Sequence, residues 1–270
     1  MNANKALWEK GDFSRIAASM RDSGRRAVTE LGITDGMNIL DVGCGDGTTA
    51  LPAAEQGADV LGVDIAANLV AAGNARAKAA GLSSCRFVEG DACDLRDIEP
   101  KGFDLVLSMF GAMFAPKPFD VAKELVRVTR PGGRIIMGNW IPGDPTLVAQ
   151  ILRISSAYSP PPPEGFVSPM TWGVEGEVLP RFVAAGIAES RISFTRRTFT
   201  FEYAGSPVAF VDEFRRYYGP TMNAFDAATA AGRADELQGE LEALFTAQNS
   251  SSSPDTTSID ATYLRVSVEV

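Results

Sequence analysis

No histidine occurs anywhere in the chain. Its absence removes the commonest metal ligand and the commonest general base near neutral pH. Ser-His-Asp hydrolases, Cys-His proteases and His-based zinc enzymes are thereby excluded. Cysteine is scarce too, with Cys44, Cys85 and Cys93 the only three. They fall in no paired-ligand spacing, so no metal centre is expected, and they suit a reducing compartment. No apolar run is long enough for a signal peptide or a membrane span, and a cytoplasmic protein is expected. Basic charge is in the minority: 25 Lys and Arg stand against 34 Asp and Glu, a net charge of −9. A nucleic-acid partner needs a basic face that releases counterions. The pairs Arg25-Arg26, Arg196-Arg197 and Arg215-Arg216 are scattered and flanked by acids. They read as solvated faces, and no nucleic-acid partner is expected.

What is present is a chain of 270 residues, 45% apolar and 22% charged, enough for one sizeable core with a cap. Short β-prone runs at residues 37–42, 59–63, 85–89, 103–109 and 134–139 alternate with helical segments at about 48–57, 66–81 and 119–129. Gly57 and Gly81 have the character of helix C-terminal caps. This alternation predicts an α/β fold, a parallel sheet with helices on both faces and right-handed crossovers. Arg130-Pro131-Gly132-Gly133 is turn chemistry ahead of the fifth strand. Past residue 140 the rhythm changes, with helices at 144–158 and 174–185 around a stiff proline-rich connector at 159–169. A long strand at 187–203, helices at 207–218 and 231–247, a Ser-rich loop at 249–257 and a closing strand at 259–270 complete the reading.

Strand one ends in Asp41-Val42-Gly43-Cys44-Gly45-Asp46-Gly47 and runs straight into a helix. A flexible turn therefore sits at the carboxyl edge of the sheet, where open α/β folds bind ligands. Its glycines allow close backbone approach, and the free N–H groups of the next helix face an anion such as a carboxylate. A dinucleotide fingerprint reads G-x-G-x-x-G, whereas position 48 is Thr48 and the spacing here is G-x-G-x-G. Strand two ends at Asp64, 21 positions past Gly43, the spacing at which an acid reaches both hydroxyls of a ribose. After strand three, Glu89-Gly90-Asp91-Ala92 can present a carboxylate to an adenine amino group.

In order and spacing these segments resemble the class I S-adenosylmethionine-dependent methyltransferases, especially the small-molecule branch that includes ubiquinone and menaquinone biosynthesis enzymes. The resemblance runs from Trp8 to Val270 and includes the strand-five entry from Val126 to Ile135. It implies that Asp41, Gly43, Cys44, Gly45 and Gly47 cradle the methionine part of S-adenosylmethionine, that Asp64 with Ile65 holds the ribose, and that Asp91 and Ala92 bind adenine. It also implies that Ser108, Met109 and Phe110 end strand four beside the cofactor. The implied fold is a Rossmann-like, doubly wound, seven-stranded sheet of order 3-2-1-4-5-7-6 with its last strand antiparallel. N-terminal cap helices at 1–32 would precede a methyltransferase domain at 33–270, with helical cap insertions at about 141–175 and 204–248.

Methyl transfer from a sulfonium needs no nucleophilic residue, and holding the reactants in a near-attack geometry can supply roughly 7 to 11 kcal/mol. Excluding water from the site adds to this. Any general base must be Asp, Glu, Tyr, Lys or the acceptor itself, and no catalytic residue can be named. The candidate lid is the aromatic stretch 210–220, aided by the N-terminal helices. Candidate acceptor contacts are Trp8, Phe13, Phe110, Met113, Trp140, Tyr217 and Tyr218, although aromatics at helical spacing equally describe a cap core. A soft wall of Met109, Met113 and Phe114 favours an apolar or aromatic small-molecule acceptor. The acceptor atom, whether O, N, C or S, and the oligomeric state are open. Two rival readings share the glycine turn. An NAD-dependent oxidoreductase is opposed by the misplaced third glycine and the lack of a Tyr-x-x-x-Lys pair. A protein that keeps the fold and binds the cofactor without methylating is opposed by nothing in the motif itself.

Overall fold

The computed structural model describes residues 3–270; Met1 and Asn2, part of the expected cap at 1–32, lie outside the described residues. Three short helices open the chain: α1 (Ala3–Trp8), α2 (Phe13–Ala17) and α3 (Arg21–Thr29). The alternating segment follows as β1 (Asn38–Val42), α4 (Ala50–Glu55), β2 (Asp59–Asp64), α5 (Ala67–Ala79), β3 (Cys85–Glu89), β4 (Phe103–Met109), α6 (Pro118–Val128) and β5 (Thr129–Trp140). Then come α7 (Leu147–Tyr158), α8 (Glu175–Ala184), β6 (Ile192–Tyr203), α9 (Pro207–Tyr217), α10 (Gly219–Ala230), α11 (Ala234–Gln248) and β7 (Thr257–Glu269).

The seven strands form one sheet in the order β3-β2-β1-β4-β5-β7-β6. β7 pairs antiparallel with β5 and β6, whereas the β1–β5 pairs are parallel. The order and the antiparallel strand are those the resemblance implied. Successive side chains on a strand point to opposite faces, and here the alternation divides the core in two. Leu40, Val42, Leu61, Val63, Val106, Ile135 and Met137 pack toward α6 and the later helices. Ile39, Val60, Leu105, Leu107 and Ile136 pack toward α3, α4 and α5. Both faces of the central strands are thus buried, which is why they read as continuous apolar runs.

Several boundaries differ from the sequence expectation, each for a local reason. The helix expected from about residue 48 is α4 and starts at Ala50, because residues 43–49 are taken up by the turn. β6 starts at Ile192 after a 3-10 turn at Glu189–Arg191. β5 reaches back to Thr129, with the Pro-Gly-Gly segment absorbed as an irregularity between the Phe103–Thr129 and Leu105–Arg134 pairs. Helix α10 was not expected at all: Gly219-Pro220 reads as a stop, but Pro is placed at the first turn of a new helix, where its missing N–H costs nothing. Asp12 is the N-cap of α2 and accepts from Ser14 N at 3.1 Å. No helix among the described residues is long and apolar enough to cross a membrane.

Candidate active site

The glycine turn is held by its own backbone. Gly43 N and Cys44 N donate to the carbonyl of Val63 at 2.7 and 3.2 Å, which ties the end of β1 to the end of β2. Gly43 has φ 69°, and a Cβ there would meet the Gly111 Cα at 2.6 Å, so β4's exit passes directly over the turn. Ser108 secures that crossing from below. Its hydroxyl donates to Val42 O at 2.7 Å and accepts from Ala112 N at 2.9 Å. Gly45 differs from Gly43: φ is 55° and a Cβ would meet nothing within 4 Å, so the space above it is open.

That space is a cleft over the carboxyl ends of β1, β2, β3 and β4, the site rule of open α/β sheets. It is bordered by Gly43, Cys44, Gly45, Asp64, Ile65, Asp91, Ala92, Met109 and Phe110 of the expected cofactor set and strand-four exit, and by Trp8 and Phe13 of the expected acceptor set. Asp64 is buried, and each carboxylate oxygen accepts one backbone N–H, from Gly45 at 2.8 Å and from Ala66 at 2.9 Å. Each oxygen retains further acceptor capacity. Burial pushes the Asp64 carboxyl up, against the pull of those N–H groups. Asp91 accepts from Cys93 N at 2.9 Å within a tight turn after β3.

Three expected cofactor residues do not border the cleft. Asp41 points with Ile39 to the α4 side of β1, fully buried, where Thr49 donates to it at 2.6 Å. Burial raises its carboxyl to about 7, the Asp64 charge adding to the effect. Gly47, φ 90°, faces Leu51 and Phe87, and Ser108 is the clamp described above. Sequence reasoning passed over Asp46, Thr48 and Thr49 in the turn itself, and Asn4, Met20 and Phe199, all of which border the cleft. Asp46 is buried with one oxygen between Arg21 at 3.0 Å and Arg76 at 3.2 Å, while its other oxygen has no partner. An Asp inside a glycine turn followed by two threonines was the available signal for the first three. Nothing in local sequence marks Met20 or Phe199.

Helix α1 roofs the outer end. Lys5 donates to Ile65 O at 3.0 Å and to Glu89 at 2.6 Å, and Glu9 accepts from Ala67 N at 3.1 Å. These contacts latch the helix onto the loops that follow β2 and β3.

A second, apolar space adjoins the cleft and shares Trp8, Phe13, Met20 and Phe110 with it. Phe110 takes φ 63°, an uncommon conformation for a bulky residue. It is held there by a hydrogen bond from its N–H to Gly138 O at 2.9 Å and by stacking on Trp140 with ring centroids 3.7 Å apart. Trp140 and Tyr218 border this chamber with Val148 and Ile151 of α7 and Phe214 of α9. Met113 and Tyr217 border neither space. Met113 is core at 1% exposure, and the Tyr217 ring lies under Arg15, 5.3 Å away.

A glycine-turn cleft with acids ending β2 and following β3, on a sheet whose seventh strand is inserted antiparallel, is the architecture of the α/β methyltransferase class. The comparisons agree. The methyltransferase-domain family matches residues 40–137. The uncharacterized protein Rv1403c of Mycobacterium tuberculosis is 35% identical over 227 residues, covering 82% of this chain and 79% of that protein. Sterol 4-C-methyltransferase strm-1 of Caenorhabditis elegans is 34% identical over 133 residues, 49% of this chain and 40% of that protein. The crystal structure of YcgJ from Bacillus subtilis superposes with a TM-score of 0.59 at 18% identity, covering 92% of this chain and 98% of that one. The chain belongs to the S-adenosylmethionine-dependent methyltransferase family.

Proposed function

We propose that this enzyme transfers the methyl group of S-adenosylmethionine to a small apolar or aromatic acceptor seated in the aromatic chamber. The observation that carries the reading is the join between the two spaces: Trp8, Phe13, Met20 and Phe110 border both, so donor and acceptor would meet there. The residues fit the cofactor. The open face of Gly45 admits a ligand against the backbone, the Asp64 oxygens keep lone pairs for ribose hydroxyls, and Asp91 with Ala92 borders the adenine end. Asp46 borders the same cleft, and one of its buried carboxylate oxygens has no partner, which suits a nearby ammonium. S-adenosylmethionine, when bound, supplies a methyl group already activated on a sulfonium. The protein's part is to align and to dry: α1 closes over the cleft through Lys5 and Glu9, and the aromatic wall excludes water from the join.

Asp41, with its carboxyl near neutral pKa, does not border either space, and we assign no general base. We read residues 3–32 and the segments at about 141–175, with α7, and 204–248, with α9–α11, as the cap over the 33–270 domain, since the chamber wall draws on α1, α2, α7 and α9. The acidic charge argues against a nucleic-acid acceptor. Free Cys44, Cys85 and Cys93, their thiols all pushed up by burial, fit a reducing compartment such as the cytoplasm. The test is incubation with methyl-labelled donor and a panel of apolar acceptors, read by mass spectrometry. Label on an acceptor, with S-adenosylhomocysteine formed in step, supports the reading. Donor binding with no acceptor labelled counts against it.

A further inference from the structure

The chamber beside the cleft has an unusual wall. Among the described residues that border it none carries a formal charge, and Tyr218 alone carries a hydroxyl. Tyr218 links α9 to α10 and is 6% exposed. Its ring is fixed by neighbours, with centroids 6.1 Å from Trp8, 6.0 Å from Phe13 and 5.5 Å from Phe214. Its hydroxyl has no hydrogen-bond partner among the described residues. Tyr158, by contrast, donates to Glu240 at 2.6 Å. Unlike the enclosed, unpartnered Trp172 and Thr221 side chains, the Tyr218 hydroxyl is not fully shut in, so it is free to donate to an incoming group. Burial pushes the Tyr218 phenol well up, so it stays protonated and able to donate at neutral pH.

Resting on the reading of this chamber as the acceptor site, we propose that it selects an uncharged, ring-sized apolar molecule bearing one hydrogen-bond-accepting oxygen, which the Tyr218 hydroxyl holds. Phe110 and Trp140, stacked in parallel, both stand in the wall, an aromatic lining that suits a ring-shaped guest. A carboxylate or ammonium entering the chamber would lose its water and meet no counter-charge, which excludes charged relatives of the same shape. Tyr218 is a specificity-determining residue in this scheme, and it takes no proton.

Trp8 and Trp140 stand in the wall, so their fluorescence reports occupancy. The experiment titrates the full chain with 1-naphthol, naphthalene and 1-naphthoate, with and without S-adenosylhomocysteine, for the wild type and Tyr218→Phe. The expected result is 1-naphthol binding at least about tenfold more tightly than 1-naphthoate, the desolvated charge having no partner. Tyr218→Phe keeps the ring packing and should weaken 1-naphthol about 2- to 12-fold, the worth of one neutral hydrogen bond, with naphthalene unchanged. Equal affinity for naphthol and naphthoate overturns the proposal. So does an equal loss for naphthol and naphthalene, which would make Tyr218 mere packing, and so does failure of every probe to bind. A separate calorimetric titration with S-adenosylhomocysteine judges the cofactor reading: if that ligand fails to bind, the methyltransferase assignment falls, while the probe titrations without it still decide the chamber.

Discussion

Gly43 and Gly45 stand two positions apart in one turn, both at positive φ, yet the structure gives them different work. Alanine at either position pays the left-handed backbone penalty, about 1 to 2 kcal/mol. At Gly45 that is the whole cost to stability, since a Cβ meets nothing within 4 Å. At Gly43 the Cβ would also lie 2.6 Å from Gly111 Cα, 2.7 Å from its carbonyl carbon and 2.9 Å from Ala112 N. These are backbone atoms, pinned by the Ser108 clamp, so an overpacking cost of about 1 to 3 kcal/mol is added. Gly43→Ala should therefore lose about 2 to 5 kcal/mol, which at about 2 to 4 °C per kcal/mol is roughly 4 to 20 °C in Tm, against about 2 to 8 °C for Gly45→Ala. Ligand binding should rank the other way per unit of stability lost. The Gly45 methyl projects into the cleft, and calorimetric affinity for S-adenosylhomocysteine should fall about tenfold or more, a steric loss of about 1.4 kcal/mol. Differential scanning calorimetry and ligand titration on both variants read the two effects. If Gly45→Ala melts as low as Gly43→Ala, or binds the ligand like wild type, the division of labour in the turn is refuted.

Asp41 makes stability depend on pH. Its folded-state carboxyl, raised to about 7, lies above the unfolded value, so the native state holds the extra proton and stability falls as pH climbs from about 4 through 7. The steepest slope is about 1.4 kcal/mol per pH unit, and Asp41→Asn should flatten the Tm–pH profile over that window; an unchanged profile contradicts the assigned burial cost. Asp64→Ala should weaken S-adenosylhomocysteine binding by about 1.5 to 3 kcal/mol, the worth of hydrogen bonds to a charged group. Calorimetry that finds full affinity removes Asp64 from the ribose. Lys5→Met unlatches α1 from Ile65 O and Glu89. Stopped-flow release of S-adenosylhomocysteine should then quicken a few-fold with Tm nearly unchanged, and an unaltered release rate would show that α1 is no gate.

The donor half of the site was legible because it is local. One turn of seven residues, one acid at a strand end and one short segment after the next strand carry it, and each borders the cleft at Gly45, Asp64 and Asp91. Even there, the strand's period of two misled in one respect. Asp41 begins the motif but points to the opposite face from Val42, so it supports the turn without facing the cleft. The acceptor half was far less legible. Its wall joins Trp8, Phe110, Trp140, Phe201 and Tyr218, residues separated by as much as most of the chain. Helical spacing could not separate Tyr217 from Tyr218, because the deciding event is the break between α9 and α10. That break turns Tyr218 inward and leaves Tyr217 beside Arg15. Met113, singled out for its softness, went to the core for the same reason: a short 3-10 turn after β4 points it inward.

What the cleft holds decides the function of this protein. Calorimetric titration of the purified protein with S-adenosylhomocysteine, and in parallel with NAD, tests it most directly. One site for S-adenosylhomocysteine, weakened by Asp64→Ala, with no measurable binding of NAD, is the result expected. Tight binding of NAD with none of S-adenosylhomocysteine would contradict it.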